Sequence, residues 1–180
     1  MTIFNLSSLF KFKVVEGIQF PCNFEFECIV KDDSFNNPGI FFLYYRKELI
    51  YIGFTNNNQD VISERVVRQI ATITLRDHRI HFTPAALNCL IKNKTFDSYF
   101  NSTQQIVSNK DFVTSVNRVE YAAYHWDEFK NFNLESLSRF EIAWYPNPNL
   151  QGSNSINELC QQLKNHYKPR CNKEYTQPLI

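Results

Sequence analysis

The chain has 180 residues, with 19 Lys and Arg against 18 Asp and Glu, so its formal net charge is +1. This balance excludes a uniformly basic nucleic-acid binder, and the content of 43% apolar and 16% aromatic residues excludes an intrinsically disordered chain. No apolar run approaches the ~20 residues of a membrane span, and Met1–Lys13 lacks the features of a signal peptide. We therefore expect one compact cytoplasmic domain without a membrane partner.

Alternating apolar and polar side chains predict two short strands within residues 9–31. A turn-rich break over residues 32–38 separates them from the most apolar segment, Gly39–Gly53, which is typical of two further strands. The charged turn between these two strands, Arg46–Glu48, lacks the Asn-Gly or Asp-Gly pair that strongly indicates a hairpin.

A helix is predicted at about residues 60–75, because four β-branched side chains fall within one stripe of roughly 80° on a helical wheel: Ile62, Val66, Ile70 and Ile73. Residues 76–112 have an irregular pattern that admits a helix after Pro84. Residues 117–129 fit either a strand or a helix, and the pattern leaves both open.

The segment 134–144 has two periodicities at once. Phe140, Ile142 and Trp144 would share one face of a strand, whereas Leu134, Leu137, Glu141 and Trp144 would share one face of a helix. Asn133 is a good N-cap and Pro146 a good stop, so we favour the helix. A last helix, opened by a capping box at Ser155–Glu158, should end before Pro169. Together these elements predict a mixed α+β domain.

The five cysteines form no CxxC pair and indicate free, buried thiols rather than a disulfide framework. His78, His81 and Cys89 lie close together in the sequence, but their spacing fits no zinc-ligand template well.

The hairpin segment resembles a known family. Gly39-Ile-Phe41, with Tyr51-Ile-Gly53 beginning ten residues after Phe41, is similar to the two half-motifs of the GIY-YIG endonuclease superfamily. Phe54-Thr55 and the helix at Glu64–Gln69 also resemble that family, and Leu137–Trp144 is similar to the segment that carries its metal-binding glutamate. The likeness covers residues 38–70 and 117–146, roughly a third of the chain.

This resemblance implies an α+β fold with a small central antiparallel β-sheet flanked by helices. The single domain, residues 1–180, would divide into a core at 38–75 and 113–150, an N-terminal extension at 1–37, an insert at 76–112, and a C-terminal helix with a basic tail at 155–180. The extension and the insert would supply DNA recognition.

The resemblance also implies hydrolysis of a DNA phosphodiester with one Mg²⁺ or Mn²⁺ ion. Tyr51 would be the base or the hydroxyl that orients water, Arg65 would grip the scissile phosphate, and Glu141 would hold the metal. On the helical wheel, Arg65 lies about 95° from the apolar stripe and can lean toward the sheet edge, whereas Arg68 points outward. In the helical interpretation Glu141 lies within an apolar stripe, which invites either a metal or an ion pair. Glu158 is the rival ligand, because Tyr167–Asn172 after its helix resembles a family ending.

Two positions depart from the family pattern. Phe41 replaces the tyrosine of the first half-motif, and Gln69 lies where the family often has histidine. Histidine at 78 or 81 is one hypothesis for a substitute group.

The cations cluster along the sequence although their sum is small. Clusters of this kind can contact DNA phosphates. We predict DNA contacts by Arg68, Arg76, Arg79, Lys164, Lys168 and Arg170. The sequence hypothesis is a restriction-type or mobile-element-type DNA endonuclease. A structure-specific repair nuclease and a catalytically inactive nucleic-acid-binding module are the alternatives, and the oligomeric state, a homodimer included, is left open.

Overall fold

The fold is known from a computed structural model, which describes residues 2–15, 23–30, 33–55, 61–76, 84–93, 116–146 and 154–172. It is an α+β fold with an antiparallel sheet flanked by helices, as the sequence predicts. The described strands are β1 (Phe4–Asn5), β2 (Phe10–Val15), β3 (Asn23–Cys28), β4 (Gly39–Tyr45), β5 (Glu48–Thr55) and β6 (Phe140–Pro146). The described α-helices are α1 (Ile62–Ile73), α2 (Pro84–Asn93), α3 (Val116–Tyr124), α4 (Trp126–Phe129), α5 (Leu134–Ser138) and α6 (Asn154–Tyr167).

Four strands form the central sheet in the order β1-β6-β4-β5, and every neighbouring pair is antiparallel. Strands β2 and β3 form a separate two-stranded sheet, which confirms the two strands predicted within residues 9–31. In the central sheet β5 is an edge strand, so its outer side is open to contacts from other elements.

The turn between β4 and β5 is tight although it lacks glycine and asparagine. Arg46 and Lys47 both have positive φ angles, 50° and 70°, as the favoured hairpin turn requires. This backbone costs roughly 1–2 kcal/mol for each non-glycine residue. The cost is offset by tertiary contacts, since the Arg46 amide donates to the carbonyl of Arg139 at 2.9 Å and its guanidinium pairs with Glu128 at 2.7 Å.

The two faces of the sheet pack against different helices. Phe41 and Leu43 face the main core, where they meet the buried stripe of α1. Ile40 and Phe42 face a smaller core, which α6 closes with side chains that include Ile156. Helix α1 confirms the predicted stripe, because its four members are all buried: Ile62, Val66, Ile70 and Ile73.

The predicted single helix over 134–144 is wrong. A short helix, α5, does begin after the Asn133 cap, but the chain becomes strand β6 at Phe140. β6 inserts between β1 and β4 and pairs with both, so its backbone groups are satisfied on two sides. Phe140 and Ile142 then face Tyr45 and Leu43 of β4, which is the strand alternation seen in the sequence.

The remaining elements decide between the alternatives that the sequence pattern left open. Residues 117–129 are helical, in α3 and α4, and α2 begins at Pro84. Leu87 and Leu90 of α2 pack into the main core, so this part of the predicted insert is integral to the domain. The four described cysteines are free, and two of them, Cys160 and Cys171, are buried. Within the described ranges, no helix has the length and apolar character needed to cross a membrane.

Candidate functional site

Both glycines of the hairpin motif are required by close packing. A Cβ at Gly39 would lie 2.3 Å from the carbonyl oxygen of Tyr145 in β6. A Cβ at Gly53 would lie 2.4 Å from Cζ of Phe41 and 2.8 Å from Cε1 of Tyr51. Since real Cβ atoms do not approach so closely, each glycine permits a neighbour to pack against the backbone. The motif glycines thus have a structural role that is independent of any chemistry.

Tyr51 lies on β5, opposite Leu43, on the face of the sheet that points to the main core. Its ring packs at 5.9 Å from the ring of Phe41, with an angle of 34° between the two planes. Phe41 is fully buried, so the para carbon that would carry the missing hydroxyl lies inside the core. The first half-motif therefore contributes packing here, and Tyr51 alone of these two rings carries a hydroxyl.

Three positive charges act on the hydroxyl of Tyr51. Burial raises the pKa of this hydroxyl, and the charges of Arg118, Lys164 and Arg65 oppose that rise in decreasing order. These cations come from α3, α6 and α1, three helices that are far apart in the sequence. Burial has the larger effect, so the pKa stays above 10.0 and the hydroxyl is protonated at neutral pH. Tyr51 thus presents a proton donor in the positive field of three cations, and such a field favours an oxyanion.

Arg118 is the residue of this site that the sequence patterns did not identify. Its guanidinium carbon lies 5.7 Å from the centre of the Tyr51 ring, and its Nη1 donates to the side-chain oxygen of Gln69 on α1. Gln69 is 95% buried, which is unusual for a glutamine unless it is hydrogen bonded. A helical interpretation of residues 117–129 was open, but nothing in the local pattern singles out Arg118 from other helical arginines.

The segment Cys171–Asn172 closes the open edge of β5 beside Tyr51. The Asn172 side chain accepts a hydrogen bond from the amide of Ile52 and donates one to its carbonyl, both at 2.9 Å. The Cys171 amide donates to the carbonyl of Ile50 at 2.8 Å. The Asn117 side chain, next to Arg118, donates to the Asn172 carbonyl at 2.6 Å. The strand residues that flank Tyr51 are thus tied to the helix that carries Arg118. In the sequence, this segment was marked only by the resemblance of Tyr167–Asn172 to a segment that follows some catalytic helices of the family.

The predicted site residues on α1 have different environments. Arg65 is half-buried and its charge acts on Tyr51. Arg68, one turn later, lies 4.0 Å from the Glu64 carboxylate, in a weak surface pair. The structure therefore brings Arg65, but not Arg68, into the described surroundings of Tyr51.

The predicted DNA contact at Arg76 is wrong, because this side chain is 95% buried. It donates to the carbonyls of Thr74 and Lys130, at 2.7 and 3.2 Å, and lies against the ring of Phe132. Its role is to join the end of α1 to the chain after α4. Arg79, His78 and His81 lie outside the described residues.

The C-terminal cations are accessible in different degrees. Lys164 is half-buried on α6 and reaches Tyr51 electrostatically. Lys168 is exposed in the left-handed turn that ends α6, with a φ of 48°. Arg170 is exposed and lies 3.3 Å from the Glu48 carboxylate. An exposed pair of this kind is worth little, so Arg170 can exchange Glu48 for a phosphate, and Lys168 is accessible to one.

Glu141 does not lie with Tyr51. It is on β6 opposite Tyr44, on the face of the sheet that α6 covers, whereas Tyr51 is on the other face. Its carboxylate pairs with the Lys47 ammonium at 3.0 Å, and its charge raises the pKa of Tyr44, after burial and Tyr167. The helical stripe that made Glu141 a metal-ligand candidate does not exist, since this residue is on a strand.

The acidic side chains in the described ranges do not assemble a metal site. Glu158 is exposed on α6, on the side of the helix away from Ile156 and Cys160. Within the described part of the chain, no three His, Cys, Asp or Glu side chains lie close enough together to hold a metal ion. The donor set at Glu141, one carboxylate already paired with a lysine, does not fit a divalent cation shared with Tyr51.

Comparison with known proteins found no matching family model, no matching curated protein and no matching solved structure.

Proposed function

We propose that this chain is a DNA endonuclease, a hydrolase of phosphodiester bonds that acts at Tyr51. The observation that supports it most is that the positive charges of Arg118, Lys164 and Arg65, from three different helices, all act on the hydroxyl of Tyr51 and oppose the rise of its pKa on burial. This tyrosine lies in a hairpin whose sequence resembles the GIY-YIG endonuclease motif. A phosphodiester carries one negative charge and gains more in the transition state, so cations fixed in advance around it lower the barrier.

In this proposal the chain's own residues bind and orient the phosphate. Arg65 and Lys164 neutralise its charge, because both side chains keep some exposure to solvent and both charges act at the Tyr51 hydroxyl. Tyr51 donates a hydrogen bond to the phosphate or to the attacking water, since its raised pKa keeps the proton on the oxygen at neutral pH. Of the two roles that the resemblance implies for Tyr51, this favours orientation over abstraction of a proton.

Dependence on Mg²⁺ or Mn²⁺ is part of the proposal. Such an ion, when bound, supplies a Lewis acid for a phosphoryl oxygen and a more acidic water. The described residues do not assemble its site, so we derive no step through it. Glu141 and Glu158 are the two carboxylates that the sequence resemblance names, and mutation tests each of them.

The hypothesis has three finer parts: a restriction-type or mobile-element-type role, a cytoplasmic location, and action as a homodimer. A structure-specific repair nuclease is the alternative within the same chemistry. It would cut branched DNA in preference to a linear duplex.

A catalytically inactive nucleic-acid-binding module is the rival from another class. Two observations favour it: Phe41 lacks the motif hydroxyl, and Glu141 is paired with Lys47 on the other face of the sheet. Such a module would keep the cations for phosphate binding without the groups for hydrolysis.

The test is DNA cleavage with Mg²⁺, with Mn²⁺ and with a chelator, on supercoiled plasmid and on a branched duplex. We expect metal-dependent cutting, and a loss of roughly 10²–10³ in rate for Arg65→Ala or Tyr51→Phe, the usual effect of removing one preorganised donor. Lys130→Ala is the matched control, because this exposed lysine pairs with Asp127 away from Tyr51.

Each other result selects a different hypothesis. Binding without cutting under any metal selects the inactive module, and neither binding nor cutting refutes both. Parallel assays of Glu141→Gln and Glu158→Gln identify the carboxylate: loss of cutting in only one variant assigns the metal to that residue. Mapping of the cut ends separates a sequence-specific enzyme from a structure-specific one.

A further inference from the structure

Arg118 occupies a position that neither the hairpin motif nor the helix α1 pattern explains. Its guanidinium lies against the ring of Tyr51, with 5.7 Å between the guanidinium carbon and the ring centre. This is within the range of a cation–π contact, which restrains both groups in one relative orientation.

Arg118 is itself held from two sides. Its Nη1 donates to the buried side-chain oxygen of Gln69. Its neighbour Asn117 is tied through the Asn172 carbonyl to the segment that brackets Ile52. The guanidinium is therefore held by α1, and the helix that carries it is tied to the strand edge on which Tyr51 lies.

We propose that Arg118 is a positioning residue for Tyr51, which holds the phenol ring in place through its stacked guanidinium while Gln69 holds the guanidinium. Gln69 lies where the resembled family often has histidine, and in this chain its side-chain oxygen serves Arg118 instead. The positive charge of Arg118 also opposes the effect of burial on the hydroxyl more strongly than those of Lys164 and Arg65. As a role in catalysis, this inference rests on the proposed nuclease function.

The test reads Tyr51 directly and does not need DNA. Protein labelled with 3-fluorotyrosine, whose phenol is more acidic, is titrated by ¹⁹F NMR, and Tyr51→Phe assigns the resonance among the nine tyrosines. We expect Arg118→Gln to move the Tyr51 titration to higher pH and to broaden or shift its resonance. Arg118→Lys keeps the charge but loses the planar stack, so its effect should be intermediate.

Gln69→Met is the second variant, because it removes the hydrogen-bond acceptor at similar volume and keeps Arg118. We expect the Tyr51 titration to move in the same direction as in Arg118→Gln, but by a smaller amount. Lys130→Gln, which removes an exposed charge elsewhere, should leave the Tyr51 resonance unchanged. If Arg118→Gln does not fold, the same titration is measured on Arg118→Lys and Gln69→Met instead. Arg118 variants and Gln69→Met that all keep the wild-type Tyr51 titration would overturn the proposal.

Cleavage then separates this inference from the proposed function. In an active protein, Arg118→Gln should lower the rate roughly 10- to 100-fold, as expected for a displaced reactive group, and should shift the alkaline limb of the pH–rate profile. A merely structural arginine would lower stability without moving that limb. If the wild-type protein cuts no DNA, the function fails, and the NMR titration still decides whether Arg118 positions Tyr51.

Discussion

Replacing Asn172 by alanine should cost this protein a large part of its stability, although the residue lies in the short segment after the last helix. The variant loses two hydrogen bonds at the edge of β5, to the amide and to the carbonyl of Ile52, each 2.9 Å long. Asn172 is 97% buried, so water does not freely replace its side chain. A buried backbone group left unpaired costs about 1–3 kcal/mol, and the two groups together give about 2–4 kcal/mol with partial entry of water.

Urea unfolding at constant m-value measures this loss as a fall in the midpoint, and thermal unfolding should fall by roughly 4–16 °C at 2–4 °C per kcal/mol. Asn157→Ala is the control, since Asn157 is exposed on α6 and alanine is the better helix former, so the expected change is near zero. Asn172→Asp keeps the acceptor but turns a carboxylate toward the Ile52 carbonyl. It should be at least as destabilising at pH 7 and should recover at low pH, where the acid can donate. An Asn172→Ala variant within about 0.5 kcal/mol of wild type would refute the reasoning.

Three further variants test particular contacts. Gly53→Ala places a Cβ 2.4 Å from Phe41, so we expect a loss of about 1–3 kcal/mol in urea unfolding, partly recovered by adding Phe41→Leu; no recovery would contradict the stated clash. Burial raises the pKa of Glu128, but the hydrogen bond from Tyr45 and the other groups around it outweigh burial and lower the pKa below 4.5. Glu128 therefore stabilises the fold above about pH 4.5 and loses this effect as the pH falls, and Glu128→Gln should flatten the acid limb of stability against pH. Arg76→Leu orphans two carbonyls and should cost about 2–4 kcal/mol in unfolding, with DNA affinity unchanged once corrected for the folded fraction.

Those parts of the fold that depend on local pattern could be predicted from the sequence. The apolar segment Gly39–Gly53 forms the two predicted strands, and the apolar stripe of residues 62–73 forms the predicted helix. At 134–144 two periodicities coincide, and the N-cap at Asn133 is real but serves a helix of one turn and a half. What decides the rest of that segment is pairing with β4, about 100 residues earlier in the chain, and no window of the sequence contains that partner.

The candidate site likewise has residues that the sequence could predict and residues that it could not. Tyr51 and Arg65 lie close in sequence, on a strand and the helix that follows it, so the motif and the helical wheel could place them together. Arg118 could not be predicted, because its contact with Tyr51 depends on how α3 packs on α1 and on a buried glutamine that receives its hydrogen bond. Glu141 was misplaced because a helical wheel drawn through a strand assigns its residues to the wrong sides.

A formal net charge of +1 is compatible with a phosphate site because charges act over short distances in salt. Arg65, Arg118 and Lys164 act on one hydroxyl, whereas the acidic residues Glu128 and Glu141 lie in ion pairs at the far end of β4 and on the opposite face of the sheet. The carboxylate charge of each pair is balanced by the cation that it contacts. A ligand at Tyr51 therefore experiences the three cations rather than the average of the chain.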